Sequence, residues 1–143
     1  MRIDIPENKK LVHETTISIR WGDMDSYRHI NNTVYFRYME QARIEWITSL
    51  GFSSTAEKEA MLMVNGFCNF YKQASYPGNL SVKTYVGSIG NSSVDIYNTM
   101  ELLPINHDDD QLLCAAGGAT MVWVDLERNK SMPWPEVVLK VLR

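Results

Sequence analysis

The sequence predicts an α+β domain: an antiparallel sheet curled around one long central helix. Two observations predict it. Residues 33–50, TVYFRYMEQARIEWITSL, repeat their apolar side chains with a helical period and contain neither Pro nor Gly. One stretch before them and four after them read as strands, and short turn sequences join most of the later ones. A helix this apolar needs a concave sheet to cover it, and helices gathered on one side of an antiparallel sheet make an α+β domain.

The first strand is HETTISIRW, residues 13–21. Thr15, Ile17, Ile19 and Trp21 fall on one face, and Thr16, Ser18 and Arg20 on the other. The ten residues before it or overlapping its approach, 1–10, read as a loose polar leader. In the helix, Tyr35, Met39, Ala42, Trp46 and Leu50 make one stripe. Val34, Tyr38 and Ile47 widen it, so more than half of the circumference is expected to be covered. At roughly 1.5 Å per residue the helix is about 27 Å long. Asn31 or Asn32 can cap its start and Gly51 can close its end.

Residues 52–60 read as a loop, and a long strand follows at 61–75, with Gly66 as a bulge. YPGN (76–79) is a turn, LSVKTYVGSI (80–89) a strand, GNSS (90–93) a second turn and VDIYNTMELL (94–103) another strand. PINHDDD (104–110) is an acidic loop whose acids read as a solvated hairpin tip. QLLCAAGGATMVWVD (111–125) is the last strand, with a bend expected at Gly117-Gly118. The tail carries prolines and one short helical turn. No repeat or linker divides the chain, so residues 1–143 read as one domain.

Composition narrows the function. With 45% apolar and 22% charged residues the chain can bury a core, and it is neither disordered nor fibrous. A net charge of −3 with mixed signs argues against a nucleic-acid binder. No apolar run nears the roughly 20 residues of a membrane span, and MRIDIPENKK lacks the apolar core of a secretory signal. A cytoplasmic location is expected. Cys68 and Cys114 read as small buried residues on strands, with thiols that stay reduced. His13, His29 and His107 form no HExxH, and no Cys pair has zinc spacing. Neither a GxSxG elbow nor a phosphate-binding GxGxxG occurs. The chemistry is expected to need no metal and no cofactor.

What remains is RWGDMDSYRHINN, residues 20–32, just before the helix. The first turn of a helix leaves N–H groups unpaired and carries partial positive charge. It can hold a carbonyl oxygen as negative charge develops there. A neighbouring carboxylate could attack the carbonyl carbon or activate a water, which is enough for acyl transfer. The same residues have plainer readings. Asp23, after Gly22, reads as a turn former, Asp25 as a cap or turn residue, His29 as a solvated loop side chain, and Asn31 and Asn32 as caps. Spacing alone does not choose between cap and catalyst.

The stretch RWGDMDSYRHINNTVYFRYMEQARIEW resembles the signature of the hotdog-fold acyl-CoA thioesterases of the 4-hydroxybenzoyl-CoA thioesterase type. It has Asp-x-Asp, a His four residues later, an Asn pair, a Tyr and Glu-x-Ala-Arg. YKQASYPGNLSVKTYVGSIGNSS and GGATMVWVDLERNKSMPWP are similar to later family segments, so the resemblance covers roughly residues 13–135. It implies a five-stranded antiparallel sheet wrapped round the helix. It also implies a homodimer at least, often a homotetramer of two dimers, with active sites at the dimer interface. It implies an acyl-CoA substrate, with Asp25 as nucleophile or general base and His29 as its partner. Asn31, Asn32, Tyr35 and Phe67 would bind substrate, the helix N–H groups would polarise the carbonyl, and the CoA phosphates would sit near the site mouth. Hotdog enoyl-CoA hydratases also pair an Asp with a later His, through an intervening Pro; here no Pro lies between Asp25 and His29. A non-hydrolysing acyl-thioester-binding protein is the third reading.

Overall fold

The structure is a computed structural model that describes residues 1–106 and 110–143. Its elements run β1 (Lys10–Ile19), a 3-10 turn (Trp21–Asp23), α1 (Asn32–Ser49), β2 (Glu59–Phe70), β3 (Gly78–Ile89), β4 (Ser93–Leu102), β5 (Leu112–Asp125), β6 (Lys130–Ser131) and α2 (Glu136–Leu142). Five long strands form one path in the order β1-β3-β4-β5-β2, all antiparallel, and the two-residue β6 pairs with the end of β5. The expected five-stranded sheet is therefore present with one short extra strand.

Helix α1 lies in the concave face. Around its first half Tyr35, Tyr38, Met39 and Ala42 pack on Ile19, Leu80, Val82, Met100 and Cys114. Around its second half Trp46 and Ile47 pack on Val86, Val94, Ile96, Met121 and Trp123. The tail forms the full helix α2, which adds Val138 and Leu142 to this second group. Arg37, Glu40, Gln41 and Ile44 form the exposed stripe, and α1 is covered over more than half of its circumference, as expected. Asn31 caps the start, its Oδ1 accepting from the Thr33 N–H. Gly51, at φ +98°, donates its N–H to the Thr48 carbonyl and closes the end.

Four expectations change. The leader is tied down: the Asn69 side chain donates to the Ile3 carbonyl at 2.7 Å, and the Lys9 ammonium lies 5.0 Å from the Tyr85 ring. Strand β1 ends at Ile19 rather than Trp21. The Arg20 N–H goes to the Asp23 carboxylate instead of the ladder, and Trp21 turns outward, 75% exposed. The bulge in β2 sits between Met63 and Asn65, not at Gly66, which pairs with Ala119. A Cβ on Gly66 would meet Met63 Sδ at 3.1 Å, so the glycine makes room for that methionine. Gly117 and Gly118 carry unbroken pairing rather than a bend. A Cβ on Gly117 would stand 2.8 Å from Met39 Sδ, so its absence lets α1 approach the sheet. The 104–110 loop falls partly on residues 107–109, His107 among them, which lie outside the described residues.

Candidate active site

The loop between β1 and α1 is a small hairpin. Met24 bridges Ile30, and the Asp25 N–H donates to the His29 carbonyl at 3.2 Å. The Arg28 N–H donates to the Asp25 carbonyl at 3.0 Å, and Arg28 takes the left-handed conformation at φ +66°. Ser26, Tyr27 and Arg28 thus form a three-residue loop whose last position is left-handed, a common hairpin connection. The Ile30 N–H on the Ala74 carbonyl and the Ser75 hydroxyl on the Arg28 carbonyl fasten the loop to the chain before β3.

Asp23 and Asp25 are two residues apart and differently housed. Asp23 is buried; its Oδ2 accepts from the Arg20 N–H at 2.9 Å and the Tyr38 hydroxyl at 2.8 Å. Burial alone would raise its pKa, but the Arg20 N–H, the Tyr38 hydroxyl and the Arg20 guanidinium outweigh burial and hold it below the ordinary carboxylate value. Asp25 is half-buried. Its Oδ1 accepts from the Tyr27 N–H at 2.8 Å and its Oδ2 from the Asn31 amide at 2.9 Å. Asn31 Oδ1 in turn accepts from the Thr33 N–H at 2.9 Å and its hydroxyl at 2.6 Å. One asparagine therefore ties the carboxylate to the first turn of α1.

Asp25 opens on a cleft of about 520 Å³ whose walls include Tyr27, His29, Asn31, Asn32, Tyr35 and Phe70. His29 Nδ1 is buried without a hydrogen-bond partner among the described residues. Burial pushes the Tyr35 hydroxyl up to about 12, so it stays protonated and can donate. Burial likewise lifts the Cys68 thiol to about 12 and raises Cys114, so neither is a thiolate at neutral pH. Both cysteines are free, Cys114 buried on β5 and Cys68 half-buried on β2. Among the described residues no three His, Cys, Asp or Glu side chains converge to hold a metal.

The structure thus brings Asp25, His29, Asn31, Asn32 and Tyr35 to one cleft. It does not bring Phe67 there. Phe67 lines a shallow hollow with Asn65, Tyr97 and Thr120, and it packs on the side of Gly118 that faces away from α1. Strand parity explains this: Cys68 packs toward the core, so Phe67 points outward and Phe70 inward, its ring edge-on to Tyr35 at 5.3 Å. The sequence reading missed Phe70, Tyr71, Lys72 and Gln73 on the cleft wall. Alternation counted from Cys68 would have found the first of them.

Comparison with known proteins adds the family. The thioesterase-like superfamily matches residues 19–142. The solved structure of the PA2801 protein of Pseudomonas aeruginosa superposes with a TM-score of 0.87 at 33% identity, over 94% of this chain and 100% of that one. The 1,4-dihydroxy-2-naphthoyl-CoA thioesterase Slr0204 of Synechocystis, 14% identical, shares the fold with a TM-score of 0.77 over 90% of this chain and 93% of its own. In sequence the chain is similar to the long-chain acyl-CoA thioesterase FadM of Escherichia coli, 26% identical over 121 residues, 83% of this chain and 88% of that protein. The architecture is the hotdog fold, and the chain belongs to the thioesterase-like superfamily.

Proposed function

We propose that this protein hydrolyses acyl-CoA thioesters to the free acid and CoA, with Asp25 as the working carboxylate. The observation that carries the reading is the position of Asp25: held by the Tyr27 N–H and the Asn31 amide at the start of α1, and open to the cleft. Of the first N–H groups of α1, that of Thr33 goes to Asn31 Oδ1 and that of Val34 to the Asn31 carbonyl. The Asn32 N–H has no acceptor within the described helix, and Asn32 lines the cleft. A thioester carbonyl oxygen directed there meets a donor and the positive end of the helix dipole. Asp25 then either attacks the carbonyl carbon, forming an anhydride that water opens, or draws a proton from an attacking water. In both routes the C–S bond breaks and the thiolate leaves as CoA once protonated. His29, on the same cleft, is the candidate partner for that proton. The protonated thiols of Cys68 and Cys114 favour a carboxylate over a cysteine nucleophile.

We also read the protein as a cytoplasmic homodimer. Strand β2 is an edge of the sheet, and Leu62, Met63 and Val64 stand exposed along it, 42%, 53% and 58%. An exposed apolar edge strand is a pairing site, and a second copy of the same strand fits it by twofold symmetry. Phe70 and Tyr71, at the end of that edge, line the cleft, so the partner would stand close to it. Replacing Val64 with Lys would then give monomers in light scattering, whereas an unchanged mass would remove β2 as the interface.

The experiment for the reaction is a panel of acyl-CoAs of increasing chain length, read as free thiol. Thiol release from at least one is expected. If no member releases thiol, hydrolysis is not the activity; loss of enoyl absorbance without thiol would mark a hydratase instead.

A further inference from the structure

Arg43 is a buried cation without a counter-charge. It lies on α1, 7% exposed, and among the described residues its guanidinium makes one hydrogen-bond contact, Nη2 to the Met63 sulfur at 4.0 Å. A thioether is a weak acceptor. Burial pulls the guanidinium below the ordinary arginine value, against the opposite pull of Glu40, yet an arginine stays charged at neutral pH. Holding such a charge out of water is costly unless an acceptor is brought to it.

Arg43 stands on the flank of α1 that faces β2. Phe36, Glu40, Arg43 and Ile47 recur at i, i+4, i+7 and i+11, one helical stripe with Ile44 beside it. Ile44 and Ile47 share a hollow with Met61 and Leu62 of β2, which fixes the direction of that flank. Phe36 and Ile44 are exposed and widen the apolar edge formed by Leu62, Met63 and Val64. A desolvated guanidinium inside a ring of exposed apolar side chains has the composition of an interface hot spot. One carboxylate stands on the same flank, Glu40. Within its own chain it pairs with Arg37 at 2.8 Å, and both are exposed, so the contact is weak and readily exchanged. The Arg43–Met63 contact lies near the middle of both α1 and β2.

We propose that Arg43 and Glu40 lock the subunit seam reciprocally, the Arg43 guanidinium of each copy donating to the Glu40 carboxylate of the other. The inference rests on the β2-paired dimer read above. Twofold pairing about the middle of β2 sets the two α1 helices antiparallel, with these flanks facing each other. In such an interface, where one residue of the first copy meets a second residue of the other, the reverse contact forms as well. Glu40 and Arg43, about one turn apart, then fall opposite Arg43 and Glu40 of the second copy. Guanidinium and carboxylate suit each other in a site that excludes water. The Glu-x-Ala-Arg run at 40–43 thereby takes a role in assembly, apart from the reaction.

The test is a charge exchange read by light scattering. Glu40→Arg leaves the flank without an acid, and Arg43→Glu leaves its centre without a base. Each variant alone should be monomeric at concentrations where the wild type is a dimer. Mixed in equal amounts they should form a heterodimer, because each chain supplies the charge that the other lacks. Glu40 is exposed, so its replacement does not disturb the core. Should the carboxylate placed at 43 unfold the monomer, Glu40→Gln and Arg43→Met carry the test. Each should raise the dimer Kd about 10- to 100-fold. The double variant should be no weaker than the weaker single variant, since either change already breaks the pair. If Val64→Lys separates the subunits while the mixed variants fail to pair and Glu40→Gln leaves Kd unchanged, the ion-pair lock is overturned and the β2 seam stands. A wild type that is monomeric at every concentration removes the dimer itself, and the lock with it.

Discussion

Asp23 and Asp25 stand two residues apart and are housed in opposite ways, one closed in and one open. Asp23 is sunk between Arg20 and Tyr38, and its Oδ2 accepts two hydrogen bonds inside the protein. Asp25 is held as firmly, by Tyr27 and Asn31, yet faces a cleft of about 520 Å³. Both carboxylates are positioned by backbone N–H groups and a neighbouring side chain. What separates structure from chemistry is access. A carboxylate closed in by the core can only stabilise the corner where β1 gives way to the loop. One with an open side can meet a substrate.

Breaking the open side should have the largest effect. Asp25→Ala is expected to lower the rate of thiol release about 100- to 10,000-fold. The thermal midpoint should hold, because the freed Tyr27 N–H and Asn31 amide face solvent-accessible space. Breaking the closed side should do the reverse. Asp23→Ala leaves the Arg20 N–H and the buried Tyr38 hydroxyl without their acceptor, at a cost of about 3 kcal/mol in urea unfolding.

Tyr38→Phe removes one donor from Asp23 and should cost about 1.5 kcal/mol at neutral pH. Its pH dependence sharpens the assignment. Asp23 titrates below its unfolded value of 3.8, so the ion contributes stability that is fully present above that value. That contribution is lost as pH falls through the lower folded value. The penalty of Tyr38→Phe should therefore be greatest at neutral pH and shrink as Asp23 becomes protonated, which unfolding curves across an acid series would reveal. Among the destabilising changes, the smallest loss is expected at Asn31. Asn31→Ala removes the cap of α1 for about 1 kcal/mol and, by freeing Asp25 from the helix start, lowers kcat about 10-fold.

The long elements were legible in the sequence because their periods are strong. Tyr35, Met39, Ala42 and Trp46 can share a face only in a helix, and Asn31 and Gly51 mark its ends by their own backbone chemistry. Local crowding was not legible. The bulge at Val64 arises where Met63 turns into the space left by Gly66, a contact no periodicity records. Phe67 was named by the resemblance alone; alternation from Cys68, downstream of the bulge, turns Phe67 outward and Phe70 toward the cleft. Trp21 fits the strand alternation yet faces solvent, because the Asp23 carboxylate captures the Arg20 N–H. Residues 20–32 suggested a carboxylate beside a helix start and marked Asp23 as a turn former after Gly22, but spacing left Asp25 open between cap and catalyst, since burial and access are not written in spacing. Nor does the sequence mark Arg28: it takes the left-handed place in a three-residue loop, a position more often filled by Gly or Asn.

The division between the two aspartates is tested most directly by assaying Asp23→Asn and Asp25→Asn side by side, measuring thiol release and thermal midpoint on the same samples. Asp25→Asn should keep the wild-type midpoint and lose at least about 100-fold in rate. Asp23→Asn should melt lower and, below its melting range, retain most of the rate. An Asp25→Asn protein that releases thiol at the wild-type rate would contradict the account.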